Sequence, residues 1–461
     1  MLKKEVLFGD RAFYKMVLAI AVPIMVQNGI TNFVNLLDNV MVGMIGTDQM
    51  SAVAIVNQLI FVYNLCIFGG VSGAGIFTAQ YYGQANHEGV RDTMRFKIIM
   101  VSIITLAAIL IATFWGDKLI SLYLQGEGTA ESIAATAHYA SQYLVIILCG
   151  LPFFMMTQAY ASTLKECGQP LLPMKAGIIA VLVNLGLNYI LIFGKLGFPA
   201  LGVEGAAIAT TASRVVELFI IIMGTHRHPQ RNPFVKGLYR TLKVPRELIR
   251  RIMRKGMPLL VNETCWGAGM AMLTKCFSIR ALYVVAALNI CNTLANLFNI
   301  VLLAMGEAVA IIVGQLLGAD KMEEARRTST RIIVFSVLLS SAAVLLMIPT
   351  AFFFPQVYNT TAQIRELATV LIIITACYLP FNALLNALYF TLRSGGKTII
   401  AFLFDSVFLW TVSVTLSYCL CKFTAIPVPW CYTIMLLADS IKITIGIILV
   451  KKGVWLQNIV D

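Results

Sequence analysis

Four carboxylates stand within long apolar stretches of this chain: Asp38, Glu263, Glu307 and Asp405. Two more lie three residues from a base, Glu217 after Arg214 and Asp439 before Lys442. An acid in hydrocarbon costs at least about 2.5 kcal/mol on insertion scales, so each one needs a reason. Asp38 follows Lys15 by 23 residues, which in a helix carries it into the far half of the first apolar stretch. Asn184 and Asn188, four residues apart, share one helix face. Thr210 follows Gly205 into a returning helix and reaches a similar depth. One carboxylate among neutral oxygens at one level makes a cage for a hard monovalent cation. A desolvated Asp38 serves a proton equally well, and the same residues also have a purely structural reading as a buried hydrogen-bonded set.

Glu263, Glu307 and Asp405 fall in the near half of their helices. They read either as a proton or substrate-cation site, with Glu263 foremost, or as interfacial and paired acids. The pairs Arg214/Glu217 and Asp439/Lys442 can neutralise themselves at this spacing and read as structural. Two asparagine stripes add polar faces: Asn28, Asn32, Asn35 and Asn39 in the first helix, and Asn289, Asn292, Asn296 and Asn299 in the eighth. Steps of three and four place each set on one side of its helix. Each stripe lines a water-filled cavity or bonds a neighbouring helix.

The elements that must hold these residues follow from composition. Hydrophobic residues make up 59% and charged residues 12% of 461 positions, and mean hydropathy is +0.83. Soluble domains run near ~25% charged, so a water-soluble enzyme and a disordered chain are both excluded. With roughly 20 apolar residues per span, twelve spans emerge: near 14–42, 51–82, 96–115, 138–161, 172–193 and 205–223, then 257–279, 283–317, 332–354, 367–390, 398–420 and 430–450. The opening residues lack a small-residue cleavage site, so the first helix is expected to be retained. The ten cysteines show no metal-ligand spacing or pairing across a loop.

Of 35 Lys and Arg, 27 fall on the side of the N-terminus, six on the opposite loops and two inside helices. This bias predicts a multi-pass plasma-membrane protein with both termini in the cytoplasm. It also accounts for the basic excess without nucleic acid, for which no binding motif is present. Ten basic residues lie in Arg227–Lys255 with one acid, Glu247, and three prolines, Pro229, Pro233 and Pro245. That segment divides the chain into an N-lobe (1–226), a basic linker (227–255) and a C-lobe (256–461). It reads as an orientation anchor or as a contact for lipid headgroups.

The two lobes are copies. An offset of 235 relates Pro23 to Pro258, Asn57 to Asn292, Asn64 to Asn299, Gln80 to Gln315, Gly83 to Gly318 and Arg91 to Arg326. An offset of 228 relates Leu151–Phe153 to Leu379–Phe381, Thr163 to Thr391 and Gly168 to Gly396. Six helices per copy give both the same orientation in the membrane, the parallel-repeat plan of secondary transporters. Under these registers Asp38, Asn184 and Asn188 correspond to Leu273, Val412 and Leu416, so the scaffold itself does not demand polarity there.

Pro23, Asp38 and Gly43, the stretch AQYYGQ (79–84), and NLGLNYILIFGKLGFPALGVEGAAIAT (184–210) resemble the MATE (multidrug and toxic compound extrusion) family. So do VNETCW (261–266), GEAVAIIVGQLLGA (306–319) and LRSGGKT (392–398) in the second half. The resemblance implies an all-α membrane protein of twelve helices in two pseudo-symmetric six-helix bundles forming a V. It also implies export of organic, often cationic, compounds in exchange for Na⁺ or H⁺. By the family's pattern Asp38, Asn184, Asn188 and Thr210 form the N-lobe cation site, with Asp38 the Na⁺ ligand. The helix-10 acid of some members is Asn382 here, and the helix-7 acid is Glu263.

The expectation is therefore an alternating-access antiporter, not an enzyme. Its partners are small organic substrates and membrane lipids, its coupling ion is Na⁺ or H⁺, it needs no covalent cofactor, and it acts as a monomer. In the hypothesised cycle, ion binding at Asp38 bends the first helix and narrows the N-lobe cavity. The alternative is a flippase for lipid-linked precursors on a related two-lobe plan, which would need a basic cleft. An intramembrane enzyme lacks a Ser/His or His/Glu set, since His226 and His228 fall in the linker.

Overall fold

The computed structural model describes residues 7–124 and 129–461, and within them all side chains but those of Val34, Asn35, Leu36, Asn39 and Leu282. Regular structure among the described residues is entirely helical. The helices are α1 (Arg11–Gly43), α2 (Thr47–Gly83), α3 (His87–Tyr123), α4 (Ala130–Glu166), α5 (Leu171–Phe193) and α6 (Gly202–His226). Then follow α7 (Arg246–Ser278), α8 (Leu282–Gly318), α9 (Met322–Phe353), α10 (Ala362–Ser394), α11 (Thr398–Phe423) and α12 (Val428–Lys452). Eleven are long and apolar enough to cross a membrane, which makes this a multi-pass membrane protein. The twelfth, α7, spans 33 residues, and Asn262, Glu263 and Thr264 interrupt its apolar run.

Most helices outrun their apolar centres. The apolar stretch at 96–115 lies inside α3, which begins at His87 because Arg95 and Asp92 pair one turn apart at 2.9 Å and steady the polar turns. The basic segment 227–255 is likewise folded. Its last residues are the opening turns of α7, with Leu248 and Ile252 buried. Before them, short 3₁₀ turns at Pro233–Val235 and Leu238–Arg240 bury Phe234 and Leu238. Arg95 of α3 donates to the Gly237 and Leu238 carbonyls at 2.7 and 3.0 Å, and Arg91 donates to Phe234 O at 3.3 Å. Gly237 takes φ +74°, which lets the chain turn sharply beneath these guanidinium groups.

The chain forms two compact units. One takes in the described residues up to Met25, Ala79–Asn86 and Ile252–Asp461; the other is Val26–Thr78 and His87–Arg251. In the first, Phe13, Val17, Ile20, Ala21 and Ile24 of α1 pack into a core with Met305, Val309, Ile312, Phe390 and Trp455. The boundary within α1, between Met25 and Val26, falls just past Pro23, whose missing N–H removes a hydrogen bond from the helix.

The same unit holds a reciprocal crossing. A Cβ built on Gly83 would stand 1.9 Å from Gln315 O, and one on Gly318 would stand 1.9 Å from Gln80 O. The two pairs related by the 235 offset therefore contact crosswise, Gly83 on Gln315 and Gly318 on Gln80, as a local two-fold relation requires. Buried Gln80 also donates to Ser394 O (3.1 Å) and Gln457 O (3.3 Å) and accepts from Ile459 N (2.8 Å), which holds the C-terminal residues against the end of α10.

In the second unit the wholly buried ammonium of Lys97 is held by Ser162 and Thr163 at 3.2 Å and by a short ion pair to Glu166. Glu166→Ala leaves that charge without a counter-ion and is expected to cost about 3–5 kcal/mol. A detergent melt should show the drop, and Lys97→Met with Glu166→Leu should recover most of it. An unchanged melt for Glu166→Ala alone would contradict this account.

Candidate functional site

α1, α5 and α6 place Asp38, Asn184, Asn188 and Thr210 in one hydrogen-bonded string. Asn188 Nδ2 donates to Asp38 Oδ1 at 2.5 Å and to Asn184 Oδ1 at 3.1 Å; Asn184 Nδ2 donates to Thr210 Oγ1 at 3.3 Å. The two amides meet because α5 is regular through this stretch, so residues four apart lie on one side. Asn184 and Asn188 are buried, and Asp38 is half-buried.

Asn188 Oδ1 is buried with no hydrogen-bond partner. A buried acceptor without a donor costs roughly 1–3 kcal/mol, and a bound cation would satisfy it. A single carboxylate with neutral oxygens suits a monovalent ion; divalent ions gather more anionic oxygens. Tyr143 of α4 was not legible in the sequence. Its buried side chain brings a hydroxyl to Thr210 and lies within electrostatic reach of Asp38. Arg214, one turn beyond Thr210 on α6, pairs with Glu217 at 3.0 Å and also acts on Asp38.

At the repeat-related place in the other unit, Leu273 belongs to an apolar cluster with Cys276, Leu409 and Val414. The polar residues there gather elsewhere. α11 contains π-helical turns at Leu403–Val407 and Leu409–Val414, which re-aim side chains and recur at functional sites. Asp405, within the first of them, accepts from Asn262 Nδ2 at 2.9 Å, while Ser406 Oγ donates to Asn262 Oδ1 at 2.7 Å. Asn262 Nδ2 also reaches Tyr389 Oη at 3.4 Å.

The charges acting on Glu263 are Arg393 and Asp405, and those on Asp405 include Lys442, Asp439 and Arg393. The structure thus joins Glu263 and Asp405 in one electrostatic set, and Glu307 lies half-buried on α8. Asn262 and Arg393 were present in the motifs quoted from the sequence. In sequence Asn262 stands beside the more conspicuous Glu263, and Arg393 is one base among those near the helix ends. The pair Lys442–Asp439 forms at 2.7 Å, with Tyr378 Oη donating to Asp439 Oδ2 at 3.1 Å.

Of the asparagine stripes, Asn289, Asn292 and Asn296 are exposed along α8, and Asn299 accepts from Asn382 at 3.3 Å. Asn32 is exposed and Asn28 half-buried on α1; the side chains of Asn35 and Asn39 lie outside the described residues.

A family model described as MatE matches residues 23–190 and 260–419. A Thermotoga maritima protein described as probable multidrug resistance protein NorM is 24% identical over 448 residues, which is 96% of this chain and 93% of that one. Multidrug resistance protein MdtK of Edwardsiella ictaluri is 26% identical over 371 residues, 78% and 77% of the two chains. Among solved structures, an outward-facing multidrug resistance MATE transporter of the MOP superfamily superposes with a TM-score of 0.80 at 19% identity, over 98% of each chain. A Vibrio cholerae MATE transporter in a bent form gives 0.80 at 17%, over 96% of this chain and 97% of its own. These likenesses carry the twelve-helix fold. With the family model matching in both halves, the chain belongs to the MatE family.

Proposed function

We propose that the protein exports organic, often cationic, compounds across a plasma membrane in exchange for Na⁺ or H⁺. The relatives described as multidrug resistance proteins support the substrate class. The observation that carries the coupling is the Asp38–Asn188–Asn184–Thr210 string with its unpartnered amide oxygen. It offers one negative charge and a neutral oxygen that lacks a donor, in a setting where an uncompensated anion is expensive.

In the proposed cycle a cation arrives at Asp38 from outside. Neutralising that charge changes the cost of burying the far half of α1, while its near half stays packed in its own core. Pro23 lies between the two, where the helix bends most cheaply. Displacement of α1 narrows the cavity of the first lobe and drives the drug outward. Exposed Asn289, Asn292 and Asn296 supply a wettable face for a polar substrate. Glu263 and Asp405 form a second ionisable set that holds a proton or a substrate cation. Both termini face the cytoplasm, and one chain, carrying both lobes, acts as a monomer among membrane lipids.

Purified protein in liposomes loaded with ethidium, under an imposed Na⁺ gradient or an imposed pH gradient, tests the reading. One gradient should drive transport. No response to either, with substrate bound, would sink it.

A further inference from the structure

Arg214 and Lys442 stand 228 residues apart, the offset that relates Leu151–Phe153 to Leu379–Phe381 and Gly168 to Gly396. They occupy matching places on α6 and α12. Each pairs with an acid one turn away on its own helix, but on opposite sides: Arg214 with Glu217 at 3.0 Å, Lys442 with Asp439 at 2.7 Å. Each lies over an aromatic ring of another helix, Phe154 at 5.0 Å and Phe408 at 4.9 Å. The duplicated chain keeps the base and relocates the acid, while the ring beneath the base comes from a different helix in each copy. A base present only to satisfy that acid would have moved with it.

Each base also faces a second carboxylate, supplied by a different helix. Arg214 acts on Asp38 of α1, and Lys442 acts on Asp405 of α11. In the first case the geometry is explicit. Arg214 follows Thr210 by one turn on the same face of α6, and Thr210 ends the string of hydrogen bonds that begins at Asp38. The groups around Asp38 are then Arg214 from α6, the Tyr143 hydroxyl from α4 and the two amides of α5, with Glu217 held on Arg214. One base against two acids leaves a single negative charge, which one monovalent cation cancels.

Resting on the reading of Asp38 as the cation carrier, we propose that Arg214 is a tethered counter-cation. It pairs with Glu217 while Asp38 holds the coupling ion, and it moves its guanidinium to Asp38 when the ion leaves. The Arg214 side chain is about a third exposed (32%), against 6% for Glu217, so the base is the member free to move. Its planar fork can engage either carboxylate without losing charge. The exchange spares the empty carrier a bare buried anion and sets an upper limit on cation affinity, so the ion is released on the far side.

The test is the half-saturating concentration of the coupling cation, taken as whichever of Na⁺ and H⁺ drives export by the wild type. It is read from the cation-dependent rise in melting temperature of the detergent-purified protein. Arg214→Gln removes the internal competitor and should lower that concentration about tenfold or more, the size expected for one unit charge at close range. Glu217→Gln leaves Arg214 no alternative partner and should raise it by a similar factor. Arg214→Lys should stay near wild type.

A merely structural ion pair predicts that both neutral variants melt lower with an unchanged midpoint, and that result overturns the proposal. If Arg214→Gln does not fold, the direction of the Glu217→Gln shift decides alone. Asp38→Asn separates the two readings. If it keeps the cation response, Asp38 is not the carrier and both fall. If it loses the response while the Arg214 and Glu217 variants leave the midpoint in place, only the tethered cation falls.

Discussion

Asp38→Asn is expected to reduce cation-driven export to the background of protein-free liposomes while the protein remains folded. The replacement preserves shape, and an Asn oxygen can still accept from Asn188 Nδ2, so the string through Asn184 to Thr210 keeps its geometry. The loss is the charge. Without it the site has only neutral oxygens and cannot repay the dehydration of a monovalent cation. Removing a half-buried carboxylate charge from an apolar setting should also leave the melting temperature unchanged or slightly raised. The measurement pairs ethidium counterflow under each gradient with a detergent melt. Export near the wild-type rate would remove Asp38 from the mechanism. Loss of export together with loss of folded protein would show the string to be structural.

The second large effect concerns the crossing of α2 and α8. Gly83→Val and Gly318→Val each put a branched side chain where backbone already stands, 1.9 Å from a carbonyl oxygen. A flexible neighbour could yield, but main chain inside two helices cannot. Overpacking typically costs 1–3 kcal/mol, and backbone contact on this scale is expected to exceed about 3 kcal/mol. Either variant should show a sharply lower melting temperature and loss of the monodisperse peak in size-exclusion chromatography. Gly186→Ala on α5, where nothing lies within 4 Å of the added carbon, is the control and should be neutral or mildly stabilising. A Gly83 variant that melts like the control would contradict the close approach.

Much of this architecture was legible in sequence because a membrane leaves the chain few options. Continuous apolar runs set the spans, and charge set their direction. The 235 offset relates Gly83 to Gly318 and Gln80 to Gln315, the four residues that meet crosswise in the fold. Depth along a helix can be counted in residues, so Asp38, Asn184, Asn188 and Thr210 could be placed at one level. What the count does not give is azimuth. Tyr143 carries no local sign that it meets Thr210, and Lys97 and Glu166, distant in the chain, pair only because α3 packs on α4. α7 is less apolar than the other eleven helices for the same reason that it matters chemically: Asn262 and Glu263 dilute its hydropathy. The π-helical turns of α11, which aim Asp405 at Asn262, follow from no pattern in the residues themselves.

The reciprocal approach of Gly83 to Gln315 and of Gly318 to Gln80 has the form of an isologous interface, in which residue i meets j and j meets i. Such pairing arises naturally when two identical subunits associate about a dyad. A half-length ancestor could have homodimerised through this patch before gene fusion put both copies on one polypeptide. Fusion would then have freed the copies to diverge, allowing the carboxylate of one to become Asp38 while its counterpart became Leu273.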